Sequence, residues 1–105
     1  MQDLGKNRAL SDLYLVSALV AYGMRPLRID RTKPSRQKFI FNAEVPIQVV
    51  VEENGNCHWQ ELALGDIETH FLSKTLFFPG NYPETLKEIR ATIHGYIEDM
   101  EDASN

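Results

Sequence analysis

The hydrophobic period of the chain changes at Gly23, and this change constrains the fold most. Before it, apolar residues recur at spacings of three and four, which predicts an α-helix over residues 12–22. These residues are Leu13, Val16, Leu19 and Val20. Ser11 is the expected N-cap, with Asp12 at the positive end of the helix dipole, and Gly23 the expected residue after the helix. Beyond Gly23 apolar and polar residues alternate, which is typical of β-strands.

Residues 25–41 form the alternating segment, which predicts a β-hairpin around the polar turn TKPSR. Leu27, Ile29, Phe39 and Phe41 are expected to face the core, with Ile40 as an exposed apolar exception. The other face and the turn then hold six of the eleven basic residues of the chain. They are Arg25, Arg28, Arg31, Lys33, Arg36 and Lys38.

A second hairpin is predicted around Asn54 and Gly55. A β-branched run over 47–51 precedes this dipeptide, and residues 57–62 can return along it. Asn-Gly is a strong hairpin signal because both residues tolerate positive φ.

The last third of the chain predicts two helices separated by a turn. Asp66 can cap a helix that reaches about Ser73, with Ile67, His70 and Phe71 on one face. The segment TLFFPGNYP is apolar and then turns at Pro79-Gly80. A long helix over 83–100 follows, in which apolar residues recur at spacings of three and four. They are Leu86, Ile89, Ile93 and Ile97.

The length of 105 residues predicts one domain, with flexible ends at 1–10 and 101–105. Hydrophobic content of 43% and charged content of 25% are ordinary for a globular chain. No apolar run is long enough for a membrane span, and acids precede the first apolar run, unlike a secretion signal. Cys57 is the single cysteine, so an internal disulfide is excluded and a cytoplasmic location is expected.

Charge is divided unevenly along the chain. Residues 1–41 carry a formal charge of +5 and residues 42–105 carry −9, which gives the net charge of −4. This asymmetry suggests a polar partner or self-association.

The sequence offers no catalytic or metal-binding pattern. Cys57 and His58 are neighbours, so on a strand their side chains point to opposite faces and do not form a nucleophile–base pair. The spacings of a zinc site are absent, and the six glycines do not cluster into a phosphate loop. We therefore expect no enzyme activity, metal or cofactor.

Two binding functions stay open. A protein partner is favoured by the opposite charges of the basic hairpin and the acidic last helix, and by candidate apolar anchors at Phe77, Phe78 and Tyr82. Burial in the core is the alternative role for these aromatic residues. Nucleic acid is the second candidate partner, because the six Lys and Arg residues of the hairpin can contact successive phosphates. The isoelectric point near 5.3 is low for such a binder.

The first helix and hairpin, SDLYLVSALVAYGMRPLRIDRTKPSRQKFIF, resemble a small bacterial and phage domain family of unknown function. The positions that match are Ser11, Asp12, Leu13, Tyr14, Leu15, Ala18, Ala21, Gly23, Leu27, Phe39 and Phe41. The C-terminal segment from Asp66 is also similar, whereas residues 43–63 are more strand-like than the helical family counterpart. The resemblance implies a small accessory protein of phage or mobile-element type, more often a binder or regulator than an enzyme.

These observations together predict an α+β domain in which one or two antiparallel hairpins pack against two or three helices. The expected core residues are Leu13, Val16, Leu19, Val20, Leu27, Ile29, Phe39, Phe41, Ile89, Ile93 and Ile97. The expected function is a non-enzymatic protein-binding module, such as a regulator or inhibitor of a host protein machine. The alternative is an accessory protein that contacts nucleic acid through 25–38. The sequence leaves the oligomeric state open.

Overall fold

The computed structural model describes residues 6–103, with side chains for 6–33 and 35–94. The elements in chain order are β1 (Asn7–Leu10), α1 (Leu13–Ala21), β2 (Arg28–Asp30), a 3₁₀ turn (Pro34–Arg36), β3 (Lys38–Asn42), β4 (Ile47–Glu53), β5 (Asn56–Leu62), α2 (Leu64–Leu72) and α3 (Tyr82–Ala103). The first sheet has three antiparallel strands in the order β1-β3-β2, and the second pairs β4 with β5. This confirms the predicted α+β class.

The two ends of α1 follow from its cap residues. Asp12 is the N-cap, and its carboxylate accepts two backbone N–H groups of the first turn at 2.9 and 3.3 Å. The assignment of the cap to Ser11 was therefore wrong by one residue. At the other end Gly23 has a φ of 104°, and the N–H groups of Gly23 and Met24 return to helical carbonyls, each at 2.9 Å. Gly23 thus ends the helix as predicted, because glycine adopts this left-handed conformation without steric cost.

The first sheet differs from the predicted hairpin because β3 is its central strand. Ile40 is only 1% exposed, which corrects its assignment to the surface, since Ala9 and Arg28 stand beside it on the neighbouring strands. Leu27 is 58% exposed, which corrects its assignment to the core. Its N–H bonds to the Ile40 carbonyl at 2.7 Å, but the residue precedes the paired part of β2.

The extra strand, β1, comes from a segment that we predicted to be flexible. Its residues pair with β3 from Asn7 opposite Asn42 to Leu10 opposite Phe39, and Leu10 is buried. The expectation of a flexible segment over 1–10 is therefore wrong for 7–10. At the other end α3 continues to Ala103, beyond its predicted end at residue 100. Residues 1–5 and 104–105 lie outside the described residues.

The second sheet confirms the second predicted hairpin. Asn54 and Gly55 have φ angles of 55° and 81°, which is the conformation that the Asn-Gly turn requires. On the other side of β4, Val51 forms an antiparallel bridge with Leu76. The following helix, α2, begins after Ala63 without a side-chain cap, so Asp66 lies in its first turn and is not the N-cap that we predicted.

One apolar core joins both sheets to the helices. Its buried residues come from α1, from β1, β3, β4 and β5, and from α2, together with Met24 and Leu76. Of the predicted core, Val16, Leu19, Phe39 and Phe41 are buried. Five other predicted members are half-buried against them, namely Leu13, Val20, Ile29, Ile89 and Ile93. The side chain of Ile97 lies outside the described residues. Within the described part of the chain, no helix has both the length and the apolar character that a membrane span requires.

Candidate binding surfaces

The basic loop between β2 and β3 leaves most of its charges in solvent. Arg25, Arg28, Lys33, Arg36 and Lys38 are exposed, and none of them forms a salt bridge with a carboxylate in the described part of the chain. Arg31 is half-buried. Five of the six predicted bases are therefore accessible to a ligand.

A groove of about 780 Å³ brings three of these bases together. Lys33, Arg36 and Lys38 line it on the loop side, whereas Leu13 from α1 and Ile93 from α3 give it an aliphatic part. Arg25 and Arg28 do not line this groove. The loop thus does not present its bases as one continuous row.

Asp30 places a negative charge within this basic groove. Its carboxylate accepts the Thr32 hydroxyl at 2.6 Å and the Thr32 N–H at 3.0 Å. These two hydrogen bonds, with smaller contributions from Arg28 and Lys38, hold the pKa of Asp30 below its usual value. The carboxylate stays ionised near neutral pH and offsets part of the positive charge.

A second surface consists of Trp59, Phe77 and Phe78, and we call it the aromatic surface. Their side chains are 65%, 44% and 47% exposed. Trp59 lies opposite Val50 in the β4–β5 ladder, and the Phe77 N–H bonds to the Val50 carbonyl at 2.9 Å on the other side of β4. The strand order therefore sets Trp59 and Phe77 on either side of Val50.

The remaining member of this surface, Phe78, lies against α3. Its ring stacks on Tyr82 at a centroid distance of 4.5 Å and an interplanar angle of 12°. Tyr82 is half-buried, and burial raises the pKa of its hydroxyl. Of the three predicted anchors, Phe77 and Phe78 are thus exposed, whereas Tyr82 is half-buried and packs against the Phe78 ring.

The hydroxyl of Tyr22 fixes the position of Phe77. It donates to the Phe77 carbonyl and accepts the Val50 N–H at 3.2 Å, so it stands between two backbone groups that a regular ladder would pair directly. The Tyr22 ring also meets Trp59 edge-on, with centroids 6.3 Å apart. Burial raises the pKa of Tyr22, opposed by the Val50 N–H, and the phenol is neutral at physiological pH.

Acidic residues border the aromatic surface. Side chains alternate along a strand, so Glu52 on β4 and Glu61 on β5 share the solvent face with Trp59. The basic loop belongs to the first sheet and the aromatic surface to the second. The loop bases and the Trp59 ring are therefore on different sheets, whereas the exposed ring of Tyr14 lies on α1.

The adjacent residues Cys57 and His58 are not arranged as a nucleophile and its base. Cys57 lies opposite Glu52 and His58 opposite Val51, so their side chains point to opposite faces of the hairpin. His58 lies 4.0 Å from a Glu53 carboxylate oxygen. His70 contacts the Thr75 hydroxyl through Nδ1 at 2.8 Å. The residues that the structure describes contain no group of three or more His, Cys, Asp and Glu side chains that could hold a metal ion.

Sequence reasoning missed Trp59 and the hydrogen-bonding role of Tyr22. The signal for Trp59 was present in the second hairpin. Val49 and Val51 are the buried residues of β4, so Val50 and the residue paired with it must face outwards, and the Asn-Gly turn makes that residue Trp59. For Tyr22 no local signal exists, because its two hydrogen-bond partners are 28 and 55 residues away.

Comparison with protein-family models, with curated proteins and with solved structures gives no significant match. The resemblance of the first helix and hairpin to a bacterial and phage domain family therefore stays a prediction.

Proposed function

We propose that this protein is a non-enzymatic protein-binding module and that it recognises its partner through the aromatic surface. The observation that carries this proposal is the exposure of Trp59 and Phe77 on either side of Val50, with Phe78 exposed next to Phe77 in the chain. Large aromatic side chains are the residues on which interface energy concentrates. In the context that the family resemblance implies, such a module acts as a regulator or inhibitor of a host protein machine.

The border of this surface defines the chemistry of the partner. Glu52 and Glu61 flank Trp59 on the solvent face, and Glu53 follows at the end of β4. A partner that places Lys or Arg around an apolar centre would satisfy both the rings and the carboxylates. We therefore propose a basic-rimmed, apolar-centred protein surface as the ligand.

Nucleic-acid binding is the second candidate, and the exposed bases of the loop favour it. Single strands are bound by positive charge together with stacking rings, but here Trp59 shares its face of the second sheet with acids, and the exposed Tyr14 of α1 does not line the basic groove. The groove that collects Lys33, Arg36 and Lys38 contains Asp30, and its apolar part is aliphatic. These features favour the protein partner.

The proposal is tested in two stages, capture of a partner and then measurement with the purified pair. The dissociation constant is measured by calorimetry for the wild type, Phe77→Ala and Lys38→Glu. We expect Phe77→Ala to weaken binding about 30-fold, as for an interface hot spot, and Lys38→Glu to change it less than about threefold. The opposite ranking of the two variants would show that the basic loop, not the aromatic surface, holds the partner.

The nucleic-acid alternative has its own measurement. Labelled single- and double-stranded DNA and RNA are titrated by fluorescence anisotropy at about 50 and 200 mM salt. We expect no saturable binding at the lower salt. Saturable binding that weakens about a thousandfold at the higher salt would indicate contacts with six or more phosphates and would favour the basic loop as the functional site.

A further inference from the structure

The outer edge of β5 presents a row of backbone groups with no partner. In a two-residue hairpin Glu53 and Asn56 exchange hydrogen bonds, and the pattern then alternates along both strands. Glu52 and Val50 accordingly use their backbone groups on the far side of β4, towards Thr75 and Phe77. By the same alternation, three residues of β5 point their N–H and C=O groups away from β4. They are Cys57, Trp59 and Glu61.

These three residues have no backbone hydrogen bond to any other part of the chain that the structure describes. Their side chains are all exposed. Because unpaired strand edges form hydrogen bonds with any strand of matching register, such an edge is a site for strand addition.

The other sheet edges are closed or protected. In the first sheet the outer strands β1 and β2 have four and three residues and carry Arg8 and Arg28. On the far side of β4, the Tyr22 hydroxyl lies between the backbone groups of Val50 and Phe77 and ends the ladder there. β5 has seven residues, continuous pairing with β4, and neither Lys, Arg nor Pro. It therefore lacks the short length, Lys and Pro that protect other sheet edges, and Glu61 is its one carboxylate.

We propose that β5 pairs with β5 of a second copy of this chain, antiparallel and about a two-fold axis at Trp59. In this register Trp59 lies opposite Trp59 of the second copy, and Cys57 lies opposite Glu61 of the second copy. All three outward donors and all three outward acceptors of each copy are then used. No two like charges lie opposite each other.

Other registers satisfy the edge less well. An axis at His58 sets Glu61 opposite Gly55, which lies in the turn, and an axis at Gln60 sets Cys57 opposite Ala63, beyond the end of β5. An axis at Glu61 places two glutamates opposite each other. The edge is thus complementary to itself in one register, and this self-complementarity is the argument for a second copy as occupant.

Pairing in this way would join the second sheets of both copies and bring the two Trp59 side chains together on one face. The dimer therefore enlarges the aromatic surface without covering it. Self-association through β5 and binding of the proposed partner use different groups, because the backbone edge and the solvent face are different surfaces.

The test is sedimentation velocity of the full chain from roughly 1 to 500 μM, a range that resolves the micromolar dissociation constants expected of a small interface. We expect a concentration-dependent monomer–dimer equilibrium. Cys57→Glu should weaken the dimer about tenfold, because in each copy the new glutamate lies opposite Glu61 of the other copy. Cys57→Lys should tighten the dimer about tenfold, because it places a lysine there. Adding Glu61→Lys to Cys57→Glu should restore the wild-type dissociation constant.

A cysteine trap checks the register independently. In a Cys57→Ser background, Trp59→Cys should form an intermolecular disulfide under mild oxidation, because residues directly opposite in such a pair have Cα atoms about 5.5 Å apart. The wild-type Cys57 thiols would lie four residues apart along the antiparallel pair, about 14 Å, and should not cross-link.

Two results would overturn the proposal. One is a wild-type chain that stays monomeric over the whole concentration range. The other is a dimer whose dissociation constant shifts in the same direction for Cys57→Glu and Cys57→Lys. Neither result bears on the partner test, which uses Phe77→Ala on the solvent face and leaves the β5 edge unchanged.

Discussion

The two hairpins of this protein are alike in sequence pattern and opposite in what they do with their apolar residues. The first contributes β3, whose Phe39, Ile40 and Phe41 are all buried, and it leaves charged residues in solvent. The second buries Val49 and Val51 on one face and exposes Trp59 on the other. A strand flanked on both sides has no free edge, whereas β5 has one.

This difference separates structural from binding roles. Burial of apolar area stabilises the fold in the first sheet, because a buried side chain no longer contacts water. The second sheet keeps apolar area and backbone hydrogen-bonding groups accessible, which gives no stability to the monomer and is available to a partner. Substitutions that affect only one of the two properties test this comparison.

The largest effect is expected from removing a core ring of the first sheet. Phe41→Ala should lower the free energy of unfolding by about 3–5 kcal/mol, because the ring is fully buried in the core. Trp59→Ala, the matched change on the second sheet, should lower it by less than about 1 kcal/mol. Urea unfolding followed by circular dichroism measures both. A Trp59→Ala cost equal to that of Phe41→Ala would mean that the two hairpins have the same role.

A smaller effect is expected where the Tyr22 hydroxyl joins β4 to the segment that carries Phe77. Tyr22→Phe leaves the Val50 N–H and the Phe77 carbonyl without this partner and should destabilise the fold by about 1 kcal/mol. Tyr14→Phe is the matched control, since the Tyr14 hydroxyl accepts a hydrogen bond from Arg90 at the surface. We expect its cost to stay within about 0.5 kcal/mol in the same denaturation experiment.

The raised pKa of Tyr22 predicts that the free energy of unfolding depends on pH in the alkaline range. Folding raises the pKa of Tyr22 above 10.0, so its contribution to stability is fully present below pH 10.0 and is lost as the pH rises through the folded pKa. The alkaline decrease in the free energy of unfolding should therefore be smaller in Tyr22→Phe than in the wild type. An unchanged alkaline decrease would mean that Tyr22 does not titrate differently in the two states.

The sequence predicted the elements better than their assembly. Spacing identified α1, and the Asn-Gly turn identified β4 and β5, because both signals are local. β1 was missed because four residues are too few for a recognisable period, and it gains its stability from β3 about 30 residues later. The error at Ile40 follows from that omission, since it assumed a two-stranded hairpin with one open face, whereas Leu27 is exposed because it precedes the paired part of β2.

Prediction of the candidate binding sites was limited in the same way, because it too depended on local signals. The exposed bases were found from composition alone, because charged side chains remain in solvent whatever the topology. Which aromatic residues are exposed depends on strand register and on the Tyr22 contact, and the second of these joins residues far apart in the chain. The sequence alone therefore left two roles open for Phe77 and Phe78, burial in the core or exposure at the surface.

The smallest effect is expected in the basic loop and concerns the charge of a single carboxylate. Thr32→Val removes the hydroxyl that bonds Asp30 at 2.6 Å, so the pKa of Asp30 should rise towards 3.8. A depressed pKa stabilises the fold above the unfolded value and loses this contribution as the pH falls, so the acid end of the stability profile should flatten in the variant. Carboxyl NMR titration measures the pKa directly, with Ser35→Ala as a control from the same groove. An unchanged pKa in Thr32→Val would assign the depression to the Thr32 N–H bond that remains and to the charges of Arg28 and Lys38. Charge reversal at Arg28 or Lys38 would then separate the two contributions, because it leaves the Thr32 N–H bond in place and changes only the charge of the basic loop.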